Sequence, residues 1–342
     1  MAFLDYASTC PIVKFSSKQY KGFHCNPNAA YAYTERKVLM DCEERIKAAI
    51  GVKSGHVLYF RCATEAIGLL LHETDNWNDT WGHSPYEHDA CLFGIRRLPD
   101  KLMGLDFYIH QWVNHITGEI FDLKTIRSQL SNACKIIVDA TAGFGKAKLP
   151  SGLDNIADAL FMSGHKIGCP ELSFMWLSDN LCEWLGAAKD IRNQWGLHHG
   201  SLSVASVMAL TDAVEWACEN GDRVDGHSVR LYVQMNDMLD KARIEHHDVL
   251  EHQMFTCSIN AIRLNGLNAD ALQQFLATRG IYVGVGGSAC SAAHDYRVLR
   301  AYGLTDDEAA EVIRVSFGDE TTASDIEALV EGIKEYKERF IV

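Results

Sequence analysis

Apolar and polar positions alternate along the chain with two different periods. In TERKVLMDCEERIKAAIG (34–51), Val38, Leu39, Cys42, Ile46 and Ile50 recur on one face at helical spacing, and Gly51 offers a stop. Near the end, SDIEALVEGIKEYKERF (324–340) repeats the pattern with Ile326, Leu329, Val330, Ile333, Tyr336 and Phe340. Ser324 and Glu327 stand in capping-box spacing, so a C-terminal packing helix is predicted there. Other stretches are short runs of branched and aromatic residues of the kind that fills buried strands: HVLYF (56–60), CKIIVD (134–139), ADALFM (157–162) and ELSFMWL (171–177). Strands alternating with helices predict an α/β fold with a largely parallel sheet.

A chain of 342 residues, 47% hydrophobic, can bury a large core, and its length suggests roughly two domains. The formal charge of -13 argues against a general nucleic-acid or anionic-membrane binder, because phosphate surfaces need a basic face. A small anionic ligand remains open. No stretch is long and apolar enough to span a membrane, and MAFLDYASTC lacks the basic-then-apolar pattern of a secretory leader. A cytoplasmic location is expected. The eleven cysteines are scattered without paired spacing, which fits buried thiols in a reducing compartment. The histidine-rich stretches RIEHHDVLEHQMF and HQWVNH lack the i, i+4 pair with an acidic partner found in zinc enzymes, so no metal site is expected.

Four junctions between these elements carry chemistry. In LYFRCATEAIGLLL a strand meets Ala63 and Thr64 and turns helical; free N–H groups and a hydroxyl there suit a phosphate, or Thr64 is a simple cap. Asp139 ends the apolar run of IIVDATAGFGK, where α/β proteins bind ligands, unless it only caps a helix. In MSGHKIGCPE, Lys166 follows a buried strand between Ser163, His165 and a proline; it is either a solvated turn lysine or a Schiff-base lysine. In YVGVGGSACSAAHDY, Gly284, Gly286 and Gly287 precede Cys290, which is either one more buried thiol or an accessible one. A phosphate cradle, a carboxylate for a pyridinium nitrogen and a desolvated lysine together are what pyridoxal phosphate requires.

In their order these motifs resemble the class V pyridoxal-phosphate enzymes, and specifically the cysteine desulfurases of the NifS type. FLDYASTCP resembles the family's YLDNAATTP, HCNPNAAY its GNPSS turn, CATEA its GATEA, and PYEHDACL its EH.AVL segment. VDATAGFGK resembles VDA.Q..GK, SGHKI is identical to the lysine motif, and HHGSLSV resembles R.GT..V. GSACSAA resembles the cysteine loop GSACSS, and IRVSFGDETTASDIE resembles IR.SLG..TT..EID, so the likeness runs from about residue 3 to about residue 338. The resemblance implies a fold-type I architecture: a large cofactor-binding domain over 16–221 with a mostly parallel sheet, and a smaller α+β domain made of 1–15 and 222–342 that carries the cysteine loop. It implies that Lys166 holds the cofactor, Asp139 pairs with the ring nitrogen, and His88 stacks on the ring and assists as a base. Ala63, Thr64, Ser163 and His165 would hold the phosphate, with Ser201 reaching it from a second subunit of a homodimer. Asn26 and Arg314 would receive the substrate carboxylate, and Cys290 would take the sulfur of L-cysteine as a persulfide and pass it to an acceptor protein. Two departures stand out. Ala142 replaces the family's glutamine at the ring hydroxyl, and NHITG replaces NNE.G, so that His115 stands where the asparagine beside the cofactor would be. Either His115 supplies the donor that Ala142 lacks, or the site is retuned for a decarboxylase or lyase reaction, selenocysteine lyase included. A noncatalytic scaffold is the third reading, and the intact lysine motif argues against it.

Overall fold

The computed structural model describes residues 1–75, 79–92, 95, 104–250, 253–286 and 295–340. Its strands are β1 (Ala2–Leu4), β2 (His56–Phe60), β3 (Trp81–His83), β4 (Phe107–Gln111), β5 (Lys135–Asp139), β6 (Ala159–Met162), β7 (Ser173–Leu177), β8 (His246–Asp248), β9 (Ile259–Leu264), β10 (Ile281–Val285) and β11 (Val312–Ser316). The chain divides into two compact units. One comprises Ile12–Trp112 and Asp122–Asn220, the other Met1–Pro11, Val113–Phe121 and Gly221–Val342.

The first unit holds a six-stranded sheet in the order β2-β7-β6-β5-β4-β3. Strands β3 to β6 are parallel, while β7 pairs antiparallel with both β6 and β2, which leaves β2 running with the parallel set. Register then fixes a common edge: Gln111 is opposite Asp139, Asp139 opposite Phe161, and Phe60 opposite Ser173. The carboxyl ends of β2, β4, β5 and β6 therefore lie along one side, where open α/β sheets place their sites. The helix Ala63–Asp75 packs Ala66, Ile67, Leu70 and Leu71 against a core that includes Leu58, Phe60, Phe161 and Met175. Each buried aliphatic side chain contributes about 1.5–3 kcal/mol, which anchors the start of this helix beside the end of β2.

The helix predicted from residue 34 runs Tyr33–Ile50 and is closed by Gly51 at φ 75°. Leu39, Cys42, Ile46 and Ile50 are buried as expected, whereas Val38 is only half-buried; Glu43, at 2% exposure, is buried instead. Glu43 has a task at the sheet edge. Along the outer side of β2, Val57 N–H donates to Glu43 Oε1 (3.2 Å), Tyr59 N–H to Gln194 Oε1 (2.6 Å) and Arg61 N–H to Glu65 Oε2 (2.7 Å). Gln194 reaches Tyr59 from a left-handed turn in which Asn193, Gln194 and Trp195 have φ of 51°, 50° and 61°. Such backbone costs about 1–2 kcal/mol per residue. It is offset by an amide pair between Asn28 and Asn193 (2.9 and 3.0 Å) and by Trp195 stacked on His56 at 3.7 Å.

The second unit holds the sheet β1-β10-β11-β9-β8, in which only β1 and β10 pair in parallel. Helices Ala269–Ala277 and Ala323–Phe340 cover it with Leu272, Leu276, Ile326, Leu329, Val330 and Ile333. Two details of the expected C-terminal helix differ. The helix starts at Ala323, so Ser324 lies inside its first turn, and Thr322 N–H and Oγ1 bond Asp325 Oδ2 (2.8 and 2.7 Å). Phe340 is 61% exposed, with its ring edge-on to Phe275 (5.7 Å) and tilted against Tyr336 (5.1 Å).

The boundaries expected at 15/16 and 221/222 fall instead at 11/12 and 220/221, and the stretch Val113–Phe121 leaves the larger unit. The reason is backbone pairing: Ile120 N–H donates to Met254 O (2.7 Å) and Thr256 N–H to Gly118 O (3.0 Å). At Gly118, with φ 79°, a Cβ would lie 2.2 Å from Ile259 O, so only glycine admits this docking.

Candidate active site

Lys166 is placed by a strand, a glycine and a serine relay. β6 is buried along its whole length, and the chain leaves it at Ser163 to enter the short 3-10 turn Gly164–Ile167, closed by Gly168 at φ 80°. A Cβ on Gly164 would lie 2.0 Å from Leu172 O and 2.4 Å from Cys169 O, so the turn closes only over glycine. Ser163 is 1% exposed, while His165 and Lys166 are half-buried. Ser163 Oγ lies 2.9 Å from His165 Nδ1 and 3.4 Å from Ser173 Oγ, and Ser173 Oγ is 3.4 Å from Arg61 O. Ser173, which sequence reasoning passes over as strand interior, thus joins the lysine turn to the segment entering the helix Ala63–Asp75. At that helix start Ala63 is half-buried and Thr64 exposed. The unpaired N–H groups of a first turn and the positive end of the helix favour an anion there.

On the same sheet edge Asp139, 7% exposed, accepts Thr141 N–H at Oδ1 (2.8 Å). The thiol of Cys91 donates to Oδ2 (3.7 Å). Asp139 therefore caps a turn, not the helix that the plain reading expected, and stands in a larger cluster. Ligand atoms of Glu87, Cys91 and Asp139 all lie within 4.8 Å of one another, and all three residues are buried. Glu87 Oε1 accepts Ser84 Oγ (2.5 Å) and Gln111 N–H (2.9 Å). Two buried carboxylates at such range repel as anions, so the cluster favours a cationic partner. The charge of Glu87 adds to burial in pushing Tyr108 up to about 12. Glu87 and Cys91 were visible in PYEHDACL, but only His88 carried a recognisable role.

The half-buried His88 accepts Ala90 N–H at Nδ1 (3.1 Å) and so starts the short helix Asp89–Leu92. That bond puts the ring proton on Nε2 and presents the outer nitrogen as a donor. Next to Asp139, the hydroxyl Oγ1 of Thr141 is sealed from solvent without a hydrogen-bond partner, and Ala142 offers none. A cradle that favours an anion, an acidic cluster that favours a cation, a half-buried lysine and a sealed hydroxyl fit the phosphate, ring nitrogen and aldehyde of pyridoxal phosphate.

The sequence also pointed to Asn26, Ser201, His115 and Arg314. Asn26 is exposed in the larger unit, its Oδ1 accepting Asn28 N–H (2.9 Å), and Ser201 is exposed just before the helix Val204–Lys241. His115 and Arg314 belong to the other unit. Arg314, 2% exposed, donates from Nη1 to His115 O (2.8 Å) and from Nη2 to Asp5 Oδ1 (2.8 Å) and Ser8 Oγ (2.7 Å). It lies across Gly284, its partner in register, where a Cβ would come within 2.8 Å of Nε. Cys290 lies outside the described residues. The other ten cysteines are free thiols. Burial pushes Cys134 and Cys169 up to about 11 and Cys182 and Cys218 up to about 12.

The chain resembles known proteins over nearly its whole length. The chain is 26% identical over 376 residues to the cysteine desulfurase IscS of Mannheimia succiniciproducens, covering 97% of this chain and 91% of that protein. It is 27% identical over 379 residues to IscS of Actinobacillus succinogenes, with the same coverage. A solved NifS-like protein superposes with a TM-score of 0.82 at 19% identity over 99% of this chain and 100% of that one. The NifS-like protein of Rickettsia africae gives 0.82 at 18% identity, with 99% of each chain covered. The family profile for aminotransferase class-V matches residues 106–329, and the chain belongs to that pyridoxal-phosphate-dependent family.

Proposed function

We propose that the protein is a cysteine desulfurase that converts L-cysteine to L-alanine and takes the sulfur onto Cys290. The observation that carries this reading is the shared sheet edge, where the turn bearing Lys166 stands with the acidic pair Glu87 and Asp139, in a chain that also contains GSACSAA. Lys166 would hold the cofactor covalently and move the α-proton, while Asp139 keeps the ring nitrogen protonated. Ala63, Thr64, Ser163 and His165 would hold the phosphate. When bound, pyridoxal phosphate supplies the electron sink that makes the α-proton of an amino acid removable. Asn26 and Arg314 would orient the substrate carboxylate, Arg314 after sharing its fork with Asp5. In the balanced reaction the substrate's carbon–sulfur bond breaks, its sulfur forms a bond to Cys290 Sγ, and Cβ gains a proton. No outside oxidant is needed. His88, whose Nδ1 accepts Ala90 N–H, would act as a hydrogen-bond donor at Nε2 rather than as a base toward the thiol.

The cytoplasm, a homodimer in which Ser201 reaches the neighbouring site, and a sulfur-acceptor protein complete the proposal. Ten free thiols among the described residues support a reducing compartment. Ala142 and the sealed Thr141 hydroxyl favour a second reading, a lyase or decarboxylase acting on another amino acid. One experiment separates the two. Cofactor-loaded protein is given L-cysteine, and alanine, sulfide and protein persulfide are measured together. Desulfuration predicts equal alanine and sulfur, and Cys290→Ala that still binds L-cysteine but forms no persulfide. A loaded protein that yields neither alanine nor persulfide from L-cysteine or L-selenocysteine overturns the desulfurase reading.

A further inference from the structure

We propose that Glu171 is a positioning residue that sets Lys166 and the Ser201 segment in place. This rests on the reading that both of those residues hold the cofactor. The lysine turn is a single 3-10 turn, closed by Lys166 N–H to Ser163 O (3.1 Å) and Cys169 N–H to Gly164 O (2.9 Å). A turn this short does not hold itself. β6 grips one end of it, and a knot of polar contacts grips the other.

In that knot Glu171 Oε1 accepts both Ser16 Oγ and Ser17 N–H at 2.8 Å, and Oε2 accepts Ser206 Oγ at 2.7 Å. Ser206 Oγ is in turn 3.0 Å from Ser203 Oγ, two residues past Ser201. The stretch Lys14–Ser17 returns the grip, since Lys14 and Phe15 N–H both donate to Gly168 O (2.9 and 3.1 Å). It is pressed onto Gly168, where a Cβ would lie 3.0 Å from Ile12 O. Lys14 Nζ over the Trp216 ring (4.5 Å) and Phe15 beside the same ring fix the stretch to the long helix. One carboxylate therefore joins three segments: the exit of the lysine turn, the stretch before residue 20, and the helix start that follows Ser201. Hydrogen bonds to an ionised acceptor are the stronger kind, and three of them converge here.

The test uses Glu171→Ala, Glu171→Gln and Ser206→Ala in the full chain. In cofactor-free protein, Glu171→Ala should speed amide exchange at Lys166 and Cys169 by about tenfold, and the Kd for pyridoxal phosphate should rise by about tenfold. Glu171→Gln keeps an acceptor oxygen and should stay within about threefold of wild type in both. Ser206→Ala removes one arm only and should raise the Kd by about threefold, which keeps the proposal open to refutation if Glu171→Ala fails to fold. Exchange in the cofactor-free protein probes the knot alone, whereas borohydride fixation of the cofactor on Lys166 probes the reading beneath it. A melting temperature that falls while exchange at 166–169 and the Kd stay at wild-type values would make Glu171 merely structural and overturn the inference.

Discussion

Removing the carboxylate of Asp5 should destabilise the unit that contains Arg314, and the size of the effect follows from burial. Arg314 is 2% exposed and Asp5, its only anionic partner in the ion pairs of the described residues, 19%. Breaking a buried pair by deleting one member costs about 3–5 kcal/mol, because the other charge is left uncompensated. Ser8 Oγ and His115 O still accept from the guanidinium, which places Asp5→Ala at the low end, about 3 kcal/mol. For a cooperative unit of this size each kcal/mol moves the midpoint by about 2–4 °C, so a drop of about 6–12 °C is expected in a thermal scan by circular dichroism. Asp5→Asn, which retains an acceptor, should lose less. Replacing both partners by leucine should lose less than Asp5→Ala alone, since no charge is then stranded. The loss should also persist in high salt, because screening acts on exposed charges. A midpoint within about 2 °C of wild type for Asp5→Ala, or a double leucine variant worse than the single, would refute the reasoning.

Burial pushes His110 down to about 4. Its native form is thus neutral, and the stability it contributes, up to about 3 kcal/mol, is present above pH 6.5 and lost as pH falls toward 4; His110→Gln should flatten urea stability across that window, and an unchanged slope would contradict it. Gly164→Ala forces a Cβ against two carbonyl oxygens and should abolish stable cofactor uptake, read by absorbance after dialysis; normal uptake would mean that the turn tolerates a side chain. At pH 7 iodoacetamide should modify the exposed Cys25 while Cys134, Cys169 and Cys182 stay unlabelled until denaturant is added.

Much of this was legible where chemistry interrupts an apolar pattern. Asp139 and Lys166 stand at the ends of runs that can only be buried strands, and the register places both ends on one edge. Direction was not legible: ELSFMWL is buried on both faces, and a strand buried on both faces reads alike whichever way it runs, so β7 is antiparallel without any sign in its residues. Glu87, Cys91 and Ser173 escaped because their roles come from neighbours 10 to 112 positions away. Phe340 fits the helical face by spacing, yet in the last turn it stays 61% exposed although Phe275 and Tyr336 lie beside it.

The outer side of β2 has one more consequence. A sheet edge is ordinarily an open valence, ready to take a strand from another chain. Here its outward N–H groups at 57, 59 and 61 are already spoken for by Glu43, Gln194 and Glu65, and Glu43 and Gln194 are themselves nearly sealed from water. An incoming strand could bond the N–H groups of Val57 and Tyr59 only by unseating a buried carboxylate and unwinding the left-handed turn. Strand addition through those N–H groups is therefore opposed, and a lesion in the turn at Asn193–Trp195 would uncover the N–H of Tyr59.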